Sequence, residues 1–344
     1  MSSNESEKQL PQKRLENMKS AIKKNVRKKA ARLQTQCFMD YSWSYNNTVL
    51  LAGSGRSGTT WLSDVINYNR EYRYVFEPFH PEKVRACQHF GDQKYIRIDD
   101  QNVEDHSLVQ RVLSGRVRSY WSDRFNERRL SNKRLIKSIR INLLLKWLHL
   151  RFPDVPIVYL MRHPLAVAVS RTRYKHWHAK SLDKYLNQPD LMQDFLEPFR
   201  QELETSERTC QITGDFFDNH IFSWCIQNYV PLQQFSDNEL HIVFYEDCCV
   251  NPEIEIERLF DYLKKKPEKK ILEEMKTASR VSRKDSAILT GNSLIDGWKS
   301  NLRTEQVDRA LEILNLFGLD QVYSEKPMPR PEGLASVTRT PLLC

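Results

Sequence analysis

No stretch of the 344 residues approaches the roughly 20 consecutive apolar residues that a bilayer span requires, and no basic-apolar-small leader pattern opens the chain. The seven cysteines are odd in number and include no C-x-x-C pair. Cys248 and Cys249 are adjacent and poorly placed to bridge each other, so reduced thiols in a cytoplasmic protein are expected rather than a disulfide scaffold. Long Gly/Ser/Pro linkers, internal repeats and low-complexity tracts are absent. No motif of a nucleic-acid-binding protein is present. His176 and His178 have no convincing third ligand nearby, so no metal centre is expected.

What is there begins at residues 53–62, Gly-Ser-Gly-Arg-Ser-Gly-Thr-Thr-Trp-Leu, directly after the apolar run Thr48-Val49-Leu50-Leu51-Ala52. The pattern predicts a short buried strand, a glycine-rich turn and a helix whose Trp61, Leu62, Val65 and Ile66 share one face. Glycines let the backbone curl with its N–H groups inward, and the helix dipole adds positive potential, so the geometry favours a phosphate. Gly53 to Gly58 has the G-x-x-x-x-G spacing of a nucleoside-triphosphate loop, yet Thr59 stands where the lysine that reaches the outer phosphates belongs. The cation lies inside the loop instead, as Arg56. No clear magnesium-binding Asp ends a later strand, since Ile157–Met161 runs into Arg162, and Thr60 alone argues weakly for a metal.

The segment from Val158 to Arg171 offers a second anion site. Arg162 ends a strand and Pro164 suits the first position of a helix. Ser170 follows Arg162 by eight residues, just over two helical turns, and so lies on the same side. Arginine brings a charged fork to a phosphate and serine adds a hydroxyl.

These segments carry a family resemblance. Gly55-Arg56-Ser57-Gly58-Thr59-Thr60-Trp61-Leu62 resembles the 5′-phosphosulfate loop of sulfotransferases that use 3′-phosphoadenosine 5′-phosphosulfate (PAPS), whose cytosolic members read P-K-S-G-T-T-W-L. Arg56 replaces their lysine, as in many carbohydrate and bacterial members. Val158–Arg171 resembles the family's 3′-phosphate motif, and Ile295–Leu302 its C-terminal G-D-W-K-N-x-[FL] segment. The resemblance runs from about Thr48 to Phe317. It implies PAPS as donor, 3′,5′-ADP as product and no metal. It places Arg56, Ser57, Gly58, Thr59, Thr60 and Trp61 at the 5′ end of the donor and Arg162 and Ser170 at its 3′-phosphate. It extends only loosely to Arg283 and Lys284, because their spacing to Trp298 exceeds that of the cytosolic enzymes.

Sulfuryl transfer is an in-line displacement that needs a base for the acceptor and positive charge for the sulfuryl oxygens and the leaving phosphate. Arg56 is the candidate for the leaving phosphate. Lys137 is the candidate for the sulfuryl group, in Arg134-Leu135-Ile136-Lys137-Ser138-Ile139, which resembles the cytosolic I-K-T-H. Ile139 occupies the place of the cytosolic catalytic histidine and cannot accept a proton. Glu77 is the expected base, in Phe76-Glu77-Pro78-Phe79-His80-Pro81, which resembles the Y-E-P segment of carbohydrate sulfotransferases. Partial burial is expected to raise its pKa toward neutrality. His80 is the fallback. The Arg173–His178 stretch mixes aromatics with cations and is open to two readings, an acceptor wall or core packing around Trp177. Phe244-Tyr245-Glu246-Asp247 resembles a family segment without an assigned transfer role. The acceptor expectation is a hydroxyl of a carbohydrate or glycan, by analogy alone. A small alcohol, lipid or phenol stays open, as do a nucleotide kinase and a non-catalytic polyanion binder.

Strand and helix signals alternate, which predicts a three-layer α/β/α sandwich with a central parallel sheet, similar to P-loop nucleotide hydrolases. Tyr72–Phe76 and His241–Tyr245 read as strands. Leu135–Leu150, Phe216–Phe235, Ile254–Leu263 and Glu305–Phe317 read as helices, the last ended by Gly318. The expected divisions are a basic polar extension over 1–46, one catalytic domain over 47–325 and a tail over 326–344. The net charge of +9 is concentrated in residues 1–46 and in Arg111–Arg151. It suits a polyanionic donor, an acidic acceptor or peripheral contact of the N-terminus with an anionic membrane; nucleic acid is not an expected partner.

Overall fold

The apolar runs become strands of a five-stranded parallel sheet, beside which a short two-stranded pair forms. In chain order the strands are β1 (Met39–Asp40), β2 (Thr48–Gly53), β3 (Arg73–Phe76), β4 (Leu130–Ser131), β5 (Arg134–Ser138), β6 (Ile157–Met161) and β7 (His241–Phe244). The five longer ones are ordered β3-β5-β2-β6-β7 and every neighbouring pair is parallel. The short β1 and β4 pair separately, Met39 opposite Leu130. This computed structural model describes residues 37–173, 181–236, 239–268, 270–275, 277 and 293–338, with Val26, Lys29, Ala30 and Leu33 ahead of them.

Both faces of the sheet are covered, so its strands are apolar throughout and the period of two only sorts side chains between two cores. Val49, Leu51, Tyr74, Leu135, Val158 and Val243 meet the helices Thr59–Ile66 (α1) and Pro252–Tyr262. Leu50, Ala52, Val75, Ile136, Tyr159 and Met161 meet Leu145–Arg151, Pro164–Thr172 (α2), Phe217–Gln234 (α3) and Thr304–Leu316. The three-layer sandwich is thus the architecture the alternation predicts.

One element departs from expectation. The run Leu135–Leu150, read as a helix, is cut in two: Arg134–Ser138 is the strand between β3 and β2, and the helix begins only at Leu145. A short apolar run buried on both faces has no period to betray it as a strand. The other predicted elements lie within two residues of their expected ends, and Gly318 holds a left-handed φ of 65° after the helix Thr304–Leu316.

The sheet's N-terminal end is closed by charge. Arg73 and Arg134 open β3 and β5, and both are fully buried. Arg73 donates to Asp123 at 2.8 Å and to Asp40 at 3.3 Å, and Arg134 donates to both oxygens of Asp40 at 2.8 Å. Asp40 thereby ties Phe38–Asp40, inside the span expected as an extension, onto the sheet. At the other terminus Val337 is buried and its carbonyl accepts from Gln233 on α3. Part of the basic stretch Arg111–Arg151 is accordingly interior, with Arg134 as its clearest case.

Candidate active site

The five strands of the sheet deliver their C-terminal ends to one edge, the place where open α/β sheets bind ligands. β3 runs into Glu77, β5 carries Lys137, β2 ends at Gly53, β6 ends beside Arg162 and β7 runs into Tyr245. Phe76 is in register with Lys137, and Leu51 with Lys137 on its other side. The candidate residues are neighbours because the register makes them so.

The loop after β2 is shaped by close approach. Gly53 has φ 150°, and a side chain there would meet the Leu160 carbonyl at 2.4 Å. Gly58 caps α1 with φ 101°, and a side chain there would meet the Tyr245 ring at 2.9 Å. Ser57 is buried, its hydroxyl donating to the Ser54 carbonyl at 2.7 Å. Thr59, Thr60 and Trp61 form the first turn of α1, where backbone N–H groups have no intrahelical acceptor and face outward along the dipole. The Trp61 indole is buried against Tyr245 and donates to the Met275 carbonyl.

The two segments expected to hold phosphates meet. The Arg56 Nε donates to the Ser170 hydroxyl at 3.0 Å, across 114 residues of chain. Arg162 lies over the Tyr245 ring at 4.1 Å, and its Nη1 reaches the Arg56 carbonyl at 3.4 Å. The Arg162 Nε is buried and has no hydrogen-bond partner among the described residues. No carboxylate pairs with Arg162 among those residues either. A half-buried cation whose buried Nε is idle is suited to an anion that arrives later. The site therefore fits a phosphate at this point.

Behind the loop stands a residue that the sequence reading passed over. Arg171, next to Ser170 on α2, is buried; its Nε donates to the Gly55 carbonyl at 3.1 Å and its Nη1 to the His220 carbonyl. Burial and the nearby Arg56 pull its pKa down to about 10, so it remains charged at neutral pH. A cation closing a helix of otherwise apolar residues was the available signal.

At the other half of the edge Glu77 is buried, with φ 47°. Its Oε1 accepts from Lys137 Nζ at 2.5 Å, and its Oε2 accepts from Arg140 Nη1 at 2.7 Å and from the Ile139 amide at 3.3 Å. The expected upward shift is reversed. Burial raises the carboxyl, but Lys137 and Arg140 outweigh it and hold the pKa below its ordinary value. Burial also lowers Lys137, which Glu77 opposes while Arg140 and Arg56 assist. Glu77 is therefore an ionised carboxylate inside a surplus of positive charge.

Arg140 and Gln93 are further members of this cluster without a sequence signal beyond proximity to Lys137. Arg140 Nε lies 3.1 Å from Asp92, and Gln93 donates to the Ile139 carbonyl at 2.6 Å. His80 stands edge-on to Trp121, and burial and Arg140 pull its pKa down to about 4. Its Nδ1 is buried without a partner among the described residues. Trp298 of the C-terminal segment stacks on the His163 ring with centroids 4.6 Å apart, and so packs behind the Arg162 turn. Arg283, Lys284 and the stretch Tyr174–His178 lie outside the described residues. Among the described residues no group of three or more His, Cys, Asp or Glu is placed to hold a metal ion, and no helix is long and apolar enough to cross a membrane.

Against known proteins, a family model described as a sulfotransferase domain matches residues 46–313. The chain belongs to this family, the PAPS-dependent sulfotransferases, and is an enzyme of that class. Similar solved structures include the sulfotransferase domain from the curacin biosynthetic pathway, at 16% identity and a TM-score of 0.42, covering 78% of this chain and 96% of that one. The sulfotransferase domain of the Synechococcus PCC 7002 olefin synthase is similar at 15% identity and a TM-score of 0.41, covering 77% and 94%. Sulfotransferase STF9 from Mycobacterium avium is similar at 10% identity and a TM-score of 0.43, covering 83% and 79%. No curated protein matches the chain.

Proposed function

We propose that the protein moves the sulfuryl group of PAPS to a hydroxyl of a carbohydrate or glycan. The observation that carries this reading is the meeting of Arg56, Ser170 and Arg162 at one end of the strand edge and of Glu77 and Lys137 at the other. The loop N–H groups, Ser57, Thr59 and Thr60 hold the 5′-phosphosulfate, with Trp61 packed beneath, and Arg162 and Ser170 hold the 3′-phosphate. Arg283 and Lys284 belong to the proposal only through the resemblance.

The acceptor oxygen forms its bond to sulfur as its proton passes to a Glu77 oxygen. The bond from sulfur to the 5′-phosphate oxygen breaks in line, and 3′,5′-ADP leaves with its new charge beside Arg56. Lys137, 2.5 Å from Glu77, is shared between the base and the sulfuryl oxygens. The carbohydrate preference rests on Arg56, the Glu77 segment and Ile139 in place of a histidine. The depressed pKa keeps Glu77 deprotonated and ready, at some cost in basicity.

A second reading of the base has its own support. His80 is neutral at physiological pH, and its Nδ1 is idle and buried. Under that reading Glu77→Gln retains turnover and His80→Ala loses it.

Calorimetric titration tests the donor site without knowledge of the acceptor. The protein is expected to prefer 3′,5′-ADP over ADP and ATP without magnesium. Arg162→Ala is expected to weaken 3′,5′-ADP by roughly 10- to 100-fold, the value of one charge-assisted contact. Equal affinity for the three nucleotides, or ATP binding that needs magnesium, overturns the donor assignment.

A further inference from the structure

The end of the sheet remote from the phosphate edge carries an apolar surface in a basic frame. Met39, Tyr41, Trp43 and Leu130 are 62%, 57%, 46% and 55% exposed. Met39 and Leu130 are partners in the β1–β4 pair, so they sit together, and Tyr41 and Trp43 follow β1 directly in the chain. Arg116 and Arg118 both lie over the Trp43 ring, at 5.8 and 5.9 Å. Arg128 and Arg129 precede Leu130 and are exposed. None of these four arginines lies within ion-pair distance of a carboxylate among the described residues, although Arg118 donates to the Phe38 carbonyl and acts on Asp123 from farther off; the adjacent Glu127 pairs with Arg70.

Upstream of this surface, Val26, Ala30 and Leu33 are helical and exposed, at a spacing that aligns them on one face. The sequence between and before them supplies Lys23, Lys24, Arg27, Lys28, Lys29 and Arg32. Apolar positions at helical spacing in a basic surround are the pattern of an interfacial helix. Two separate parts of the chain thus offer the same chemistry.

We infer that the face formed by Met39, Tyr41, Trp43 and Leu130 with Arg116, Arg118, Arg128 and Arg129 docks the protein on an anionic phospholipid surface. A soluble polyanion would satisfy the arginines but gives no reason to expose methionine, leucine, tyrosine and tryptophan among them. Lipid satisfies both, with the indole and phenol at headgroup level and the guanidinium groups on phosphates. The buried Arg73, Arg134, Asp40 and Asp123 fix β1 behind the patch, so it is presented on a rigid backing. Docking by this end leaves the edge with Glu77 and Arg162 facing solution.

Co-sedimentation of the full chain with vesicles tests this. Binding is expected to phosphatidylcholine vesicles that contain phosphatidylserine, to be absent with phosphatidylcholine alone and to fall as salt is raised. Trp43→Ser with Tyr41→Ser, and separately Arg116→Glu with Arg128→Glu and Arg129→Glu, are each expected to lower the partition constant by about tenfold or more, given about fivefold per basic residue at such a surface. An unchanged melting temperature and 3′,5′-ADP affinity show that the fold survives. Three results overturn the inference: no partition of wild type, partition unaffected by both variants, or loss on Val26→Ser with Leu33→Ser alone. Capture of wild type by heparin but not by vesicles also overturns it and makes the occupant a soluble polyanion.

Discussion

Strands β3 and β5 each begin and end in charge, and the two ends behave differently. At their starts Arg73 and Arg134 face Asp40 and Asp123, two cations against two anions, all four fully buried and mutually bonded. At their ends Glu77 faces Lys137 and Arg140, with Arg56 and Arg162 farther along the edge. The first cluster is balanced and complete, as a structural lock must be when water is excluded. The second is cationic, holds its carboxylate under strain at a left-handed φ, and keeps an idle donor on Arg162. Burial is common to both clusters; imbalance is what sets apart the one proposed to act.

The comparison is most exposed at Glu77. Glu77→Gln is expected to cut single-turnover transfer by roughly 10²- to 10⁴-fold, with 3′,5′-ADP affinity within a few-fold of wild type. Turnover close to wild type would hand the base to His80 and leave Glu77 as a mere counter-ion. At the balanced end, Asp40→Ala strands two buried guanidinium groups and is expected to cost about 3–5 kcal/mol in urea unfolding. Where the variant folds, nucleotide affinity should be unchanged; a loss of affinity with intact stability would erase the distinction between the two ends.

A third test sits just behind the cationic end. Glu246 accepts from the His163 amide at 2.8 Å and from the Tyr323 hydroxyl at 3.1 Å, and burial pushes its pKa up to about 7. The folded state therefore keeps a proton that the unfolded chain releases from about pH 4.5 upward, and the group's contribution to stability falls between that pH and about 7. Glu246→Gln should remove this slope, a relative gain of up to about 3 kcal/mol by pH 7, measured as denaturation midpoints across that range. The smallest effect is expected at Arg140. Arg140→Gln withdraws one cation from Glu77, so the acid limb of the turnover profile should move upward by about one pH unit. An unmoved limb would mean that Arg140 serves Asp92 rather than the carboxylate it touches.

Motifs whose chemistry is local were legible. The turn Gly53–Gly58 and the pair Arg162 and Ser170 are each set by a few adjacent residues, so spacing placed them at a strand end and on a helix. Arg140 and Gln93 were not legible, because the partners that bring them to the site lie 46 or more residues away in the chain; Arg171 left only the faint signal of a cation late in an apolar helix. Leu135–Leu150 failed for a related reason: a strand covered on both sides has no polar face to give it a rhythm. The direction of Glu77's shift failed because burial was foreseen and its second cation was not.

Gly58 bears on how such a site is assembled. The Tyr245 ring that would collide with any side chain there is the ring on which Arg162 rests. Under the proposed function the turn for one phosphate and the arginine for the other thus lean on the same tyrosine, which directly follows a third strand. A Gly53–Gly58 segment transplanted into a foreign sheet would keep its curl but lose that shared support. If the proposed donor site is right, its recognition unit is the three strand ends together, and it can be inherited or engineered only as one piece.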